Sequence, residues 1–285
     1  MSAVTMERRR ARAGSRNLLF WTGVGFIALL VVFAIVGPNM RHAYDAQDFT
    51  PQLGPNAVNW FGTDHLGRDL FARIAYGARV SLIIGFLVQV IAVTFGMFIG
   101  IISVFAPKWI SIPVQRLTDG MFAFPDLLLA IMLVGIFVGK GGGLVPMVIA
   151  LAVGAWPATA RLVKTQVATL KDREYVVAAN AMGAKTLYIV MKHILPHLWG
   201  VILAVMMVDV AATILAESTL SFLGIGVRPP MPSWGGMIML GDSYKESNIN
   251  MLIWPCLFLS MTIFALNFVG DGLRAMTDPK GNQSR

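Results

Sequence analysis

Six apolar runs, each close to the length that crosses a lipid bilayer, limit this chain to few folds. They lie at about 18–36, 81–104, 120–138, 144–160, 198–222 and 251–269. A helix needs roughly 20 apolar residues to span the hydrocarbon core. Asp126, Asp209 and Glu217 are the charges that fall inside these runs. The pattern predicts an all-α, polytopic membrane protein with six transmembrane helices.

The first run needs separate treatment, because Arg8, Arg9, Arg10, Arg12 and Arg16 precede it. A cleaved signal has a shorter apolar core and ends in small residues. Here the run ends at Gly37-Pro38 after a full span's length, which predicts a retained helix. Residues 1–17 are then a cytoplasmic N-terminal segment, and 18–285 one transmembrane domain.

Only 13% of residues are charged and 56% are apolar, whereas a soluble domain carries about 25% charged residues. A net charge of +8 could indicate a nucleic-acid partner. The cations lie between apolar runs instead, where a membrane protein keeps its cytoplasmic Lys and Arg, so lipid is the partner and nucleic acid is not. With an even number of spans, sixteen of the 23 Lys and Arg share the side of both termini, which predicts termini in the cytoplasm. Cys256, the single cysteine, excludes an intrachain disulfide.

The stretch between the fourth and fifth runs carries the strongest local signal. It reads Arg173-Glu174-Tyr175-Val176-Val177-Ala178-Ala179-Asn180-Ala181-Met182-Gly183-Ala184 and closes on His193-Ile194-Leu195-Pro196. Tyr175, Val176, Ala179 and Met182 fall on one face at helical spacing. Gly183 can turn the chain, and Pro196 cannot sit inside a helix. The expectation is helix, turn, helix just outside the bilayer, serving either as a docking element or as an amphipathic surface helix.

This stretch resembles the coupling loop of permease subunits in binding-protein-dependent ABC importers, whose pattern is Glu-Ala-Ala-x-x-x-Gly, nine residues, then Ile-x-Leu-Pro. Ala178, Ala179, Gly183, Leu195 and Pro196 match in register; Val177 replaces the glutamate and His193 the isoleucine, with Glu174 a nearby carboxylate. Further stretches resemble the dipeptide and oligopeptide importers. They are Gly62-Thr63-Asp64-His65-Leu66-Gly67-Arg68-Asp69, then Leu220-Ser221-Phe222-Leu223-Gly224-Ile225-Gly226-Val227 with Pro232-Ser233-Trp234-Gly235, and finally Gly270-Asp271-Gly272-Leu273-Arg274 with Asp278-Pro279. The resemblance spans about 18–280 and is to the C-type permease, with the type I importer fold. It implies a heterodimer with a B-type permease, two ATPase subunits that bind ATP and Mg, and an extracytoplasmic binding protein. Relatives of this kind import short peptides, and some glutathione or nickel. The chain itself is then a non-catalytic subunit without cofactor.

Single residues add expectations. Ionisable groups at membrane depth usually face a pore or a partner, so Asp209 and Glu217 are candidates for the pathway, with interhelical packing as the alternative. Asp64, Arg68 and Asp69 either contact the binding protein or hold one another. Arg116 and Asp119 are expected to pair across one helical turn, and Asn267 to bond a neighbouring helix. Trp234 suits a membrane interface. Gly96, Gly100, Gly135 and Gly154 permit close helix contact.

Enzyme signatures fail. Gly139-Lys140-Gly141-Gly142-Gly143 resembles a phosphate loop but has Val134 where the first glycine belongs, and no Ser or Thr follows Lys140. His193 and His197 have zinc-helix spacing without the glutamate, and Pro196 intervenes. No nucleophile-elbow motif is present. The competing functional class is an ion-coupled carrier using Asp209 and Glu217; the paired broken helices of such carriers are not evident.

Overall fold

The computed structural model describes residues 3–40, 42–138 and 143–277, with side chains for 18–40, 42–136 and 143–276. Arg41, residues 139–142, Asp278, Pro279, Lys280 and Arg285 lie outside the described residues, as do the side chains of the five N-terminal arginines. In order, the helices are α1 (Ala3–Val36), α2 (Leu70–Phe105), α3 (Lys108–Met121), α4 (Asp126–Val138) and α5 (Leu144–Lys171). Then come α6 (Glu174–Ala181), α7 (Thr186–Ile189), α8 (Leu195–Phe222), α9 (Trp234–Ser243) and α10 (Asn250–Thr277). A π turn over Val190–Ile194 joins α7 to α8. Among the described residues no strand forms; Thr63 and Asp69 make one isolated antiparallel bridge.

Among the described residues, five helices are long and apolar enough to cross a membrane, or six if the bent α3–α4 pair counts as one span. The expected third span is not a straight helix, because α3 and α4 meet at 90°. Pro125 explains the break: it has no N–H and disfavours helical φ,ψ at Phe124 before it. Asp126 then opens α4 in its first turn, where a carboxylate suits the helix dipole. The 13 residues of α4 reach only about 20 Å at 1.5 Å each, less than the roughly 30 Å hydrocarbon core.

The second span starts well before Ser81. Asp69 caps α2 by accepting from the Ala72 N–H, the ordinary role of aspartate there. The charges of the first turns are satisfied locally. Arg73 Nε lies 3.4 Å from Asp64 Oδ2, and Arg79 donates to the Ala34 and Ile35 carbonyls, both at 3.0 Å. Those carbonyls end α1, where helix acceptors lack partners. The fourth span likewise continues as α5 to Lys171, beyond the apolar run.

The helices pack around α2. A Cβ on Gly96 would stand 2.7 Å from Thr159 Cβ, and one on Gly100 2.7 Å from Val163 Cβ and 2.8 Å from the Ala160 carbonyl oxygen. Two glycines one turn apart thus let α2 and α5 touch backbone to backbone, as small residues do between membrane helices. The order of these contacts makes the two helices parallel, so α6 lies at the Phe105 end of the bundle and the 38–69 segment at the Leu70 end. Gly135 and Gly154 do not serve this purpose: Gly135 has open space beside it, and at Gly154 the nearest atom, Asp126 Cβ, is 3.8 Å away. Helix α8 runs antiparallel to α2, and Gly85 receives its Ile214 side chain, with Ile214 Cγ1 2.9 Å from a Cβ there.

Gly100→Leu therefore overpacks the seam against backbone that cannot move aside. It should cost about 1–3 kcal/mol and lower the thermal midpoint of the detergent-purified protein. Gly135→Ala, inside α4 with open space beside it, should not lower the midpoint, since alanine is the better helix former.

Candidate functional site

Helix α6 is short because its sequence ends it. Gly183 has φ +81°, a left-handed conformation that glycine adopts without a Cβ penalty. The Gly183 N–H donates to the Asn180 carbonyl at 2.9 Å and the Ala184 N–H to the Ala179 carbonyl at 3.1 Å. This pair of bonds is the Schellman termination of a helix. The predicted apolar face divides. Val176 and Ala179 are buried, with 2% and 4% exposure, in the cluster that includes Val163 and Val167 of α5. Met182 falls in the turn and is 82% exposed, while Tyr175 stacks on His197 at 5.5 Å. Two inward residues thus seat α6 on the end of α5.

Its other side projects. Glu174, Val177, Ala178, Asn180, Ala181 and Gly183 are exposed, and Leu187, Tyr188 and Met191 extend the surface at 72%, 55% and 59% exposure. Space beside Gly183 is open. Pro196, second in α8, follows a π turn in which the Leu195 N–H reaches back to the Val190 carbonyl. The shift to an i→i−5 bond is one way a chain absorbs a proline next to helix. Leu195 is half-buried beneath it. The two histidines make no joint site: His197 Nδ1 lies 2.8 Å from the His193 carbonyl oxygen.

A cavity of about 280 Å³ lies between α2, α4, α5 and α8. Gln89, Asp126, Gly154, Asp209 and Thr213 line it with several alanines. Gly154 belongs to its wall, not to a helix seam. Asp209, a predicted pathway residue, faces it. Glu217, the other, does not: it is 0% exposed and is held by Ser81 (3.1 Å), Ser218 (3.4 Å) and Ser221 (2.7 Å). Three hydroxyls satisfy a carboxylate that burial would otherwise penalise, and Ser81 ties α2 to α8. Gln89 and Asp126 also lie on the cavity; Asp126 stood out as a charge inside an apolar run, and the signal for Gln89 was an amide within one.

At the other end, Asp64, Arg68 and Asp69 do not present themselves to a partner. They are 3%, 5% and 1% exposed. Arg68 Nε lies 2.6 Å from Asp64 Oδ2, and Asp64 Oδ1 accepts from the Leu66 and Arg68 N–H groups. Gly67, at φ +75°, packs on the Phe49 carbonyl, leaving no room for a side chain. Asn248 donates to the Leu53 and Thr63 carbonyls, and Phe61 stacks on Trp254 at 4.0 Å. The segment is therefore a fixed layer over the ends of α2 and α10. Burial above all holds the His65 imidazole below its ordinary pKa, against the pull of Asp64. Trp234 is not interfacial: it is 0% exposed and donates to the Ile74 carbonyl at 3.2 Å. Two other expectations also change. Asp119 pairs with Arg161 at 3.3 Å, not with Arg116, and Asn267 bonds the Ile263 carbonyl of its own helix.

Comparison with known proteins says what kind of protein carries this knob, cavity and closed layer. Residues 92–282 match the family of the binding-protein-dependent transport system inner membrane component. The chain belongs to this family. It is 39% identical over 268 residues to the dipeptide transport system permease protein DppC of Bacillus subtilis (strain 168), covering 93% of this chain and 83% of that one. It is 38% identical to the oligopeptide permease OppC of the same organism, over 93% of this chain and 86% of that one. The glutathione permease GsiD of Pectobacterium atrosepticum is 36% identical, over 90% and 85% of the two chains. The fold is similar to that of a chain in inward-facing MetNI methionine ABC transporter structures, at TM-score 0.59 and 18% identity, over 72% of this chain and 96% of that one. The family match makes this an inner-membrane permease component, and the fold is that of the type I importer permease.

Asp64→Ala would leave Arg68 and Arg73 buried without their shared carboxylate. Breaking a buried ion pair in this way costs about 3–5 kcal/mol. The expected result is faster proteolysis of the 43–69 segment in membranes than in wild type.

Proposed function

We propose that this chain is half of the translocation pathway of an ATP-driven peptide importer, with both termini in the cytoplasm. Its relatives bear the names of dipeptide, oligopeptide and glutathione permeases. Short peptides are the cargo class that fits all three. The other half of the pathway is a B-type permease. Two ATPase subunits bind ATP and Mg, and a binding protein delivers cargo at the Leu70 end. Ala178, Ala179 and Gly183, with Glu174 at the helix start and Leu195-Pro196 behind them, are the coupling residues.

The observation that carries this reading is α6, a helix anchored by Val176 and Ala179 whose projecting surface, largely apolar at Val177, Ala178, Ala181 and Met182, is left exposed by the rest of the chain. Such a surface marks a site that a partner protein or the bilayer covers, and the match to the coupling-loop pattern favours a protein. Docked on an ATPase, α6 would move with it. Because α6 sits on α5, and α5 is locked to α2 at Gly96 and Gly100, that movement reaches the cavity wall. ATP drives the cycle only by binding the two arrangements with different affinity. Asp209 lies on the pathway side of this wall, and Glu217 is a packing residue. The buried charges at Asp64, Arg68 and Asp69 shape the layer that the binding protein meets without touching it themselves.

Gly183→Arg tests the docking. The space beside it is open, so the arginine enters the contact surface without touching the bundle; because φ +81° strains any side chain there, Ala178→Arg on the exposed helical face is the unstrained companion and should behave alike. Uptake in proteoliposomes holding the complete transporter should fall at least about tenfold, with ATP hydrolysis no longer stimulated by loaded binding protein. The variant should still insert in the membrane. Uptake at the wild-type rate would refute the docking role.

A further inference from the structure

A groove of about 610 Å³ runs between α1 and α2. The two helices are tied at one end of it, where Arg79 Nε donates to the Ala34 carbonyl and Nη2 to the Ile35 carbonyl, both at 3.0 Å. From there the groove continues along Val31 and Ile27 on α1 and along Ile83 and Phe86 on α2. Ile27 is eight residues before Ile35, so the groove is about 12 Å long. Val210 of α8 and Leu266 of α10 are buried at its floor, while Val31, Ile83 and Phe86 are exposed at its mouth. Arg79 is the one polar side chain among the residues that line it.

Depth identifies the surroundings. The apolar span of α1 covers the 22 residues Leu18–Asn39, about 33 Å at 1.5 Å per residue, close to the roughly 30 Å hydrocarbon core. The carbonyls that Arg79 holds lie in the last two turns of that span. Its guanidinium therefore sits where hydrocarbon gives way to headgroups, and the groove descends from it into one leaflet. Only 22% of the α1 span is buried, against 44% for the spans of α2 and α5, so α1 is at the margin of the bundle.

Charge and volume select the occupant. A guanidinium has five N–H donors, and the two carbonyls take two. The carbonyl end of α1 offsets about half a charge, and among the described residues no carboxylate pairs with Arg79. A phosphodiester at headgroup depth supplies negative charge in a form that arginine binds well. Below it there is room for a hydrocarbon chain and not for a helix, since two turns of a helix at least 10 Å across fill more than about 800 Å³. We propose that one membrane phospholipid is bound here, with an acyl chain between α1 and α2 and its phosphate on Arg79. Helix α1 is held to α10 at Gly23, where a Cβ would stand 2.8 Å from the Ala265 carbonyl oxygen, and to α2 at Arg79. The acyl chain fills the gap between these two attachments and braces α1 against α2. The site is independent of the cargo.

Photo-cross-linking separates this lipid from the surrounding bilayer. The complete transporter in proteoliposomes receives a trace of phosphatidylglycerol with a diazirine midway along one acyl chain, and adducts are mapped by peptide mass spectrometry. Ile83 and Phe86 should be labelled severalfold more than Leu29 and Val32, which are exposed elsewhere on α1. Equal labelling of the four means ordinary bilayer lipid only and overturns the site. Labelling of Leu29 and Val32 with none at Ile83 and Phe86 means that a helix of the second permease covers the groove, and overturns it too.

The phosphate contact has its own controls. The same photoreactive chain on a diacylglycerol, which lacks phosphate, should lose the enrichment. Arg79→Gln keeps an amide donor for the α1 carbonyls and removes the charge. It should lower phosphatidylglycerol labelling of Ile83 and Phe86 about fivefold, to the diacylglycerol level, with Leu29 and Val32 unchanged. Val31→Trp leaves Arg79 in place and fills the groove, and should cut labelling of Ile83 and Phe86 severalfold. Enrichment that is the same for diacylglycerol, or that survives Arg79→Gln, would overturn the phosphate contact and with it the site. Enrichment that survives Val31→Trp would overturn the placement of the acyl chain. Should Arg79→Gln fail to assemble, the diacylglycerol comparison in wild type and Val31→Trp decide between the same outcomes.

Discussion

Close contact between α2 and α5 is the constraint on which the rest of the structure depends. Gly96 and Gly100 remove two side chains where Trp156, Thr159, Ala160 and Val163 approach. In lipid no hydrophobic force drives helices together, so contact area and polar links must hold them. The seam fixes α5, and α5 fixes α6 through Val163 and Val167, which share a cluster with Val176 and Ala179. The same α2 carries Gln89 to the cavity and Ser81 to Glu217. One helix thus connects the exposed knob, the cavity and the closed layer at the far end.

Two carboxyls in α8 show how partners, not position, distinguish packing from pathway. Asp209 and Glu217 are two helical turns apart. Glu217 accepts three hydroxyls from two helices and has no exposure, so its chemistry is complete within the bundle. Asp209 borders the cavity that Gln89 and Asp126 also line, with Arg274 of α10 as its neighbouring charge. A carboxylate enclosed by hydroxyls packs helices together; one on a cavity wall is open to what enters the cavity. The same distinction applies at the other end, where Asp64 is shared by Arg68 and Arg73 and is consumed in holding the layer shut.

Much of this was legible in the sequence because transfer free energy is local and additive. The apolar runs located five long helices, and Gly183 with Pro196 marked the turn and the break near α6. What stayed hidden depended on partners distant in sequence. The run that began at Gly120 concealed a 90° bend, since hydropathy does not register the missing N–H of Pro125. The start of α2 was obscured by Arg73 and Arg79, whose charges are neutralised by Asp64 and by the end of α1. Gly96 and Gly154 look alike as residues, and only the neighbouring helix makes one a seam and the other a cavity wall. Likewise Asp119 had a suitable arginine one turn away, yet Arg161 from another helix reaches it.

The most direct measurement is cross-linking from the tip of α6. Met182 is 82% exposed, so Met182→Cys in a Cys256→Ser background should leave the bundle intact. In inside-out vesicles a short bifunctional thiol reagent should join it to an ATPase subunit bearing surface cysteines, with a yield that changes when ATP is added. Labelling of that cysteine in intact cells by a reagent that cannot cross the membrane would place α6 on the wrong side and contradict coupling.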